Sequence, residues 1–302
     1  MKIAIAGGTG FVGKGLTNYF LENEHEVVIL TRSEEKTSSH PRLSYVTWLK
    51  ESAQPELALS GVDVVINLAG TSINSGRWTD EVKESILKSR VNTTKELLRI
   101  MKVMEPKPST FINASAIGIY QTSEDATYRE DSLNHGDDFL ATTVSTWENL
   151  ASEAESLGIR TVYTRFGIIL GKDEGALPAI AMPYKLFAGG TVGTGRQWLS
   201  WIHWKDVVRA IDHCMNNTDI KGPVNLVSPH PLRMKEFGKT VADALNRPHW
   251  IPAPSFALKA LLGEKSILVL EGQHVLPTVL QHTNFTFAYP TLKDALEDIY
   301  EE

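Results

Sequence analysis

The chain has 302 residues, 42% of them hydrophobic, with 30 Lys and Arg against 36 Asp and Glu and a net charge of −6. A mildly acidic chain lacks the surplus of cations that covering a phosphate backbone requires, so no nucleic-acid partner is expected. Its one cysteine, Cys214, excludes an intrachain disulfide; with neither a basic leader nor a run of roughly 20 apolar residues, a cytoplasmic protein without a membrane partner is expected.

In chain order, Lys2 to Ala6 reads as a buried strand and Phe11 to Asn23 as a helix. Glu26 to Leu30 is a second strand, Ser44 to Thr47 a third, and the β-branched run Val62 to Leu68 a fourth. From Thr79 to Met104 the apolar residues Val82, Ile86, Val91, Leu97 and Met101 recur near the helical period. Thr110 to Ser115 is the next strand, Asp137 to Ser156 a helix, and Arg160 to Arg165 another strand. Strands alternating with helices predict an α/β fold, a doubly wound Rossmann parallel sheet covered on both faces. Residues 1–170 are expected to form its cofactor domain, completed by a returning strand near 224–227. After about Gly171 the rhythm changes: Gly189 to Gly195 is loop, Met234 to Leu245 a helix, and Pro252 and Pro254 mark a boundary. Residues 171–248 are read as a smaller substrate-side lobe and 249–302 as a helical tail packed on that lobe. Left unpacked, Leu258, Leu261, Leu262, Ile267, Leu268 and Leu270 would expose an apolar patch.

The strongest chemical signal is Gly7-Gly8-Thr9-Gly10-Phe11-Val12-Gly13, which follows a strand and opens a helix. Both GxxGxxG and GxGxxG registers fit, and the physics is common to them. Glycines allow a tight turn and close backbone approach, and the free N–H groups of a helix start bind a pyrophosphate. At the end of the second strand stands Thr31-Arg32-Ser33, where sites that prefer NAD carry an acid for the ribose hydroxyl. Arg32 offers a planar cation suited to a 2′-phosphate, with Thr31 beside it, so NADP(H) is the expected cofactor. Leu68, Ala69 and Gly70 end the fourth strand with small residues past which adenine and ribose can lie.

These residues resemble the extended short-chain dehydrogenase/reductase superfamily, and within it the nucleoside-diphosphate-sugar epimerase-like members that carry a C-terminal domain of unknown function. The resemblance runs nearly end to end. It includes GGTGFVG at Gly7, NLAG at Asn67, SRVNTT at Ser89, NASAIGIY at Asn113, RFGIILG at Arg165, GTGRQWLSWIHWKDVV at Gly193 and LLGEKSILVLEGQHVLP at Leu261. It implies a seven-stranded sheet with the cofactor across the carboxyl ends of its strands. It places Thr31 and Arg32 at the 2′-phosphate, Leu68 and Ala69 on the adenosine side, Arg90 at a polar contact to the cofactor, and Ile169 at the nicotinamide end.

The resemblance also implies a Tyr-x-x-x-Lys pair for proton transfer, and here the chain departs from it. Aligned on Glu148, Leu140 stands at the tyrosine position and Val144 at the lysine position. Ser115 and Tyr120 are the candidate catalytic substitutes. A phenol that stays protonated near neutral pH favours reduction of a carbonyl over oxidation of an alcohol. Arg196 and Trp201 are candidates to hold the substrate, with a carbonyl compound and a nucleotide sugar both open. His203 is read as a buried, satisfied histidine, and Asp206 as a residue that caps or orients the next helix. No metal-site spacing and no Gly-x-Ser-x-Gly elbow is found. The expected function is an NADP(H)-dependent oxidoreductase or epimerase-like enzyme; the alternative is a catalytically silent NADP(H)-binding module.

Overall fold

The computed structural model describes residues 1–51 and 53–301; Ser52 and Glu302, the last residue of the expected tail, lie outside them. Strand β1 (Lys2–Ala6) is apolar on both faces and buried along four of its five residues, as a central parallel strand must be. It leads into α1 (Phe11–Glu22), β2 (Glu26–Thr31), β3 (Leu43–Thr47) and β4 (Val64–Asn67). Then come α2 (Asp80–Val103), β5 (Thr110–Ala116), α3 (Phe139–Ala151), β6 (Arg160–Phe166), α4 (Trp204–Asn216) and β7 (Gly222–Leu226). The sheet has seven strands in the order β7-β6-β5-β4-β1-β2-β3. Every neighbouring pair is parallel.

Helices cover both faces. On one, Leu16 and Phe20 of α1 pack with Val207 and Ile211 of α4; on the other, Leu97 and Met101 of α2 pack with Ala151 of α3. The winding reverses between β1 and β4, which is where an open α/β sheet leaves a crevice at its carboxyl edge.

The smaller lobe has its own apolar cluster. Trp201 packs there with Phe237 and Val241 of α5 (Met234–Ala244) and with Leu292 and Leu296 of α6 (Leu292–Glu301). Leu292, Ala295, Leu296 and Ile299 form one helical face of α6, and all are buried. Asp206 is fully buried and holds this end of the chain: its Oδ1 accepts from the N–H of Ala288 and its Oδ2 from that of Tyr289, both at 2.9 Å. Asp206 therefore orients the tail. The cap of α4 is His203, whose side chain accepts from the N–H of Lys205.

The middle of the tail differs from expectation. The helix Ser255–Leu262 buries none of its residues, and Leu261 is 73% exposed. Instead of lying on the lobe alone, this stretch bridges to the loop between β4 and α2 and to the first turn of α2. Lys83 pairs with Glu264 at 2.9 Å, Arg77 donates to the carbonyl of Ala260 at 3.2 Å, and Lys265 donates to that of Asn74 at 3.1 Å. The competing contact is polar and comes from a distant segment, so helical periodicity carries no sign of it.

Candidate cofactor and substrate site

Two glycines make the switch point possible. Gly7 adopts φ +83°, and a Cβ there would lie 2.8 Å from the backbone of Leu68; a Cβ on Gly13 would lie 2.3 Å from the carbonyl oxygen of Gly7. β1, the turn and α1 therefore close on one another only without side chains at these positions. Gly10 starts α1 with extended backbone and no side-chain cap. The first N–H groups of the helix, at Phe11, Val12 and Gly13, thus have no intrahelical acceptor and face the crevice end of the sheet. Thr9 is exposed on the turn.

At the next strand end, Thr31 Oγ1 accepts from the N–H of Ser33 at 3.1 Å, which turns the chain so that Arg32 stands exposed. Arg32 makes no ion pair among the described residues. The nearby Glu34 is engaged by Lys50. On the other side of Gly7, Leu68 donates to Ala6, and Ala69 is held by the side chain of Asn67 at 3.2 Å. Arg90 of α2 packs on Gly70, donates to the carbonyls of Thr71 and Ile86 at 3.0 Å each, and lies 5.0 Å over the ring of Trp147. Burial pushes its pKa down to about 10, still well above neutrality, so it is a permanent cation.

Beyond Arg90 opens a cavity of about 360 Å³. Its sheet-side wall includes Leu68, Ser115 and the Phe166-Gly167-Ile168 segment. Ile169 itself points away, into the packing beneath α1, while its neighbour Ile168 faces the cavity. The opposite wall is α3, with Leu140, Val144 and Trp147 at one helical face, and the roof is Ile267 and Leu268 of the tail. Leu140 and Val144, which the sequence sets at the tyrosine and lysine positions, are thus apolar cavity wall.

Ser115 is 2% exposed and lies at the cavity floor, where its hydroxyl donates to Glu148 of α3. Its proton is committed to that carboxylate, so the oxygen presents lone pairs upward. Glu148 is in turn held by Arg165 of β6.

Tyr120 is not a cavity residue, and this corrects its assignment as a proton donor to substrate. It is fully buried: its hydroxyl donates to Asn225 Oδ1 at 2.9 Å and accepts from Arg165 at 2.7 Å. Burial pushes its pKa up, against the pull of the Arg165 cation. Trp201 is corrected likewise. It has no exposed surface, and its indole N–H donates to the carbonyl of His230 at 3.1 Å inside the lobe core. Arg196 reaches the opposite fate: its side chain is 71% exposed and pairs with Glu124 at 3.1 Å, outside the cavity lining. The nearby tryptophan that does line the cavity is Trp198, with Arg233 3.9 Å and His274 4.2 Å from its ring.

The residues missed in the sequence are Glu148, Ile267, Leu268 and Glu271. Glu148 carried a signal, the one acid in α3, on the helical face that also holds Ala141, Val144, Trp147 and Ala151. The tail residues carried none, because their relation to Ser115 spans about half the chain.

The description of the NAD dependent epimerase/dehydratase family matches residues 3–226, and a domain of unknown function, DUF1731, matches residues 253–299. The chain is similar to the epimerase family protein YfhF of Bacillus subtilis, 48% identical over 299 residues that span 99% of this chain and 98% of that one. It is also similar to the crystal structure of the human epimerase family protein SDR39U1 with NADPH, at 33% identity, 100% of both chains and a TM-score of 0.87. A nucleoside-diphosphate sugar epimerase from Corynebacterium glutamicum superposes with TM-score 0.79 at 29% identity, over 99% of this chain and 58% of that one. With its seven-stranded parallel sheet, glycine turn and C-terminal segment, this chain belongs to the NAD dependent epimerase/dehydratase family.

Proposed function

We propose that the protein binds NADP(H) across the carboxyl ends of β2, β1 and β4 and uses it to reduce or oxidise a small molecule in the adjoining cavity. The observation that carries this reading is Arg32, an exposed cation just past the end of β2, beside the glycine turn, that makes no ion pair among the described residues. A ribose hydroxyl needs an acceptor there; a 2′-phosphate needs what Arg32 and Thr31 supply. In this reading Gly7, Thr9, Gly10, Phe11, Val12 and Gly13 surround the pyrophosphate, and Leu68, Ala69 and Gly70 form the adenosine wall. Arg90 makes a polar contact farther along, and Ile169 backs the nicotinamide end. The human relative solved with NADPH supports the same choice. The bound nicotinamide supplies or takes a hydride; Ser115 and the apolar walls position the reacting carbon.

A second reading, an NADP(H)-binding module without turnover, is favoured by one observation: Leu140 and Val144 hold the wall where a proton-transfer pair would stand. Titration of NADPH and NADH decides the cofactor, and a two-directional substrate screen decides between the readings. Tighter binding of NADH than NADPH would defeat both.

A further inference from the structure

The charged groups around the cavity are arranged against a phosphorylated substrate. Among the described residues that line the cavity and the recess adjoining it, three are carboxylates, Asp138, Glu271 and Glu124, and one is a cation, Arg90. Arg90 is tied to two backbone carbonyls at the cofactor side. Basic residues around the mouth have partners: Arg196 pairs with Glu124 and Lys83 with Glu264, while Arg77 donates to the carbonyl of Ala260, Lys265 to that of Asn74 and Arg233, stacked on Trp198, to that of Arg196. Glu271 stands at the junction of cavity and recess, accepting from Thr122 at 2.6 Å. A diphosphate placed here meets like charges, and to pair with a guanidinium or ammonium it must draw that cation from a partner it already has.

Shape points the same way. At about 360 Å³ the space lies near the lower end of the roughly 300–1,000 Å³ of ligand pockets. The nicotinamide end of a bound cofactor would share it. Ile267 and Leu268 roof it, and Lys265 and Glu264 beside them fasten that roof to the far side of the cleft. What remains is walled by Ile73, Ile86, Leu140, Val144, Trp147 and Leu268, with Ser115 and Thr143 among the polar groups that line it.

We infer that the substrate is a compact, uncharged and largely apolar carbonyl compound or its alcohol, and not a nucleotide sugar. This inference rests on the cofactor reading above. In the reducing direction a hydride from NADPH forms the new C–H bond, the carbonyl π bond breaks onto oxygen, and that oxygen takes a proton from a water molecule at the cavity mouth, leaving NADP⁺, the alcohol and a hydroxide that the buffer neutralises. Ser115 positions the oxygen-bearing carbon; in the alcohol form the substrate hydroxyl donates to its free lone pair.

The test uses the full chain loaded with NADPH, its affinity measured first by calorimetry. Benzaldehyde, cyclohexanone and diacetyl are then offered as carbonyl probes, and UDP-glucose as the nucleotide sugar. The expected result is consumption of NADPH with at least one carbonyl probe, and neither turnover nor inhibition by millimolar UDP-glucose. Competition or turnover by UDP-glucose overturns the inference. Tight NADPH binding with no response to any carbonyl probe also overturns it and leaves the cofactor reading standing, whereas failure to bind NADPH defeats the cofactor reading itself. Leu268→Trp should raise KM for the active carbonyl by about tenfold or more with NADPH affinity unchanged. If that variant does not fold, Leu268→Ala carries the test, with preference shifting toward bulkier ketones; an unchanged preference counts against the inference.

Discussion

Arg165 and Glu148 form a two-pronged ion pair beneath the cavity, with Nε to Oε1 and Nη2 to Oε2 both at 2.8 Å, joining β6 to α3. Both side chains are almost entirely out of solvent, at 5% and 11% exposure. The pair also organises its surroundings, since Glu148 takes the Ser115 proton and Arg165 donates to the Tyr120 hydroxyl. Removing one member strands a buried charge. Arg165→Ala should therefore cost about 3–5 kcal/mol in urea unfolding. A loss below about 1 kcal/mol, the range of exposed pairs, would show that the pair is solvated in solution.

Glu130 should make stability depend on pH. Its Oε1 accepts from the N–H groups of Asn225 and Val279, both at 3.1 Å, and so joins the edge strand to the tail. Burial raises its pKa above the usual carboxylate value, outweighing those backbone donors. The folded state thus holds the proton more tightly than the unfolded one. The contribution is fully present below the unfolded carboxylate pKa and is lost as pH rises through the raised folded value. Relative to Glu130→Gln, the unmodified protein should lose stability as pH climbs through that window. Parallel urea curves for the two proteins across it would contradict the assignment.

Arg32→Ala should weaken NADPH binding by about 1–3 kcal/mol, the range for charge-assisted hydrogen bonds, and leave NADH binding nearly unchanged. Because Arg32 is exposed, the difference between the two cofactors should also shrink as salt rises. Fluorescence titration of both cofactors at low and high ionic strength measures both effects.

Gly13→Ala should abolish cofactor binding and lower stability by about 1–3 kcal/mol, because the added methyl meets backbone rather than a movable side chain. Thermal melts and NADPH titration of the same preparation check it. Wild-type affinity in this variant would mean that the turn opens more easily than the contact of Gly13 with Gly7 allows.

Asp206→Ala should loosen the C-terminal helix. Two backbone N–H groups lose a buried charged acceptor, and Arg209, 2.7 Å from Oδ1, loses its partner. A loss of about 2–3 kcal/mol is expected, with faster proteolytic release of the chain beyond Pro290. Equal cleavage rates in both proteins would show that α6 is held by its apolar face alone.

The parallel sheet and its first strand–turn–helix were legible in the residues because their causes are local. Lys2 to Ala6 is apolar without alternation, the glycines follow at once, and Val64 to Asn67 lies within the β-branched run that announces it. The position of Arg32 was equally local, since the end of β2 places it at the crevice edge whatever the rest of the chain does. Burial of individual side chains was not local. Trp201 and Trp198 are three residues apart on adjoining short strands, yet one lies in the lobe core and the other against the cavity. Tyr120 follows Ser115 by five residues and is drawn under the cavity by Arg165 and Asn225, partners 45 and 105 residues away. Arg196 is neutralised by Glu124, and the roof comes from Ile267 and Leu268. Which face of a residue meets solvent, and which charge finds a partner, depends on segments brought together only by packing. So the glycine turn and the alternation of strands and helices were readable from the amino acids alone, while the strand order and the shape and charge of the cavity were decided by the tertiary structure.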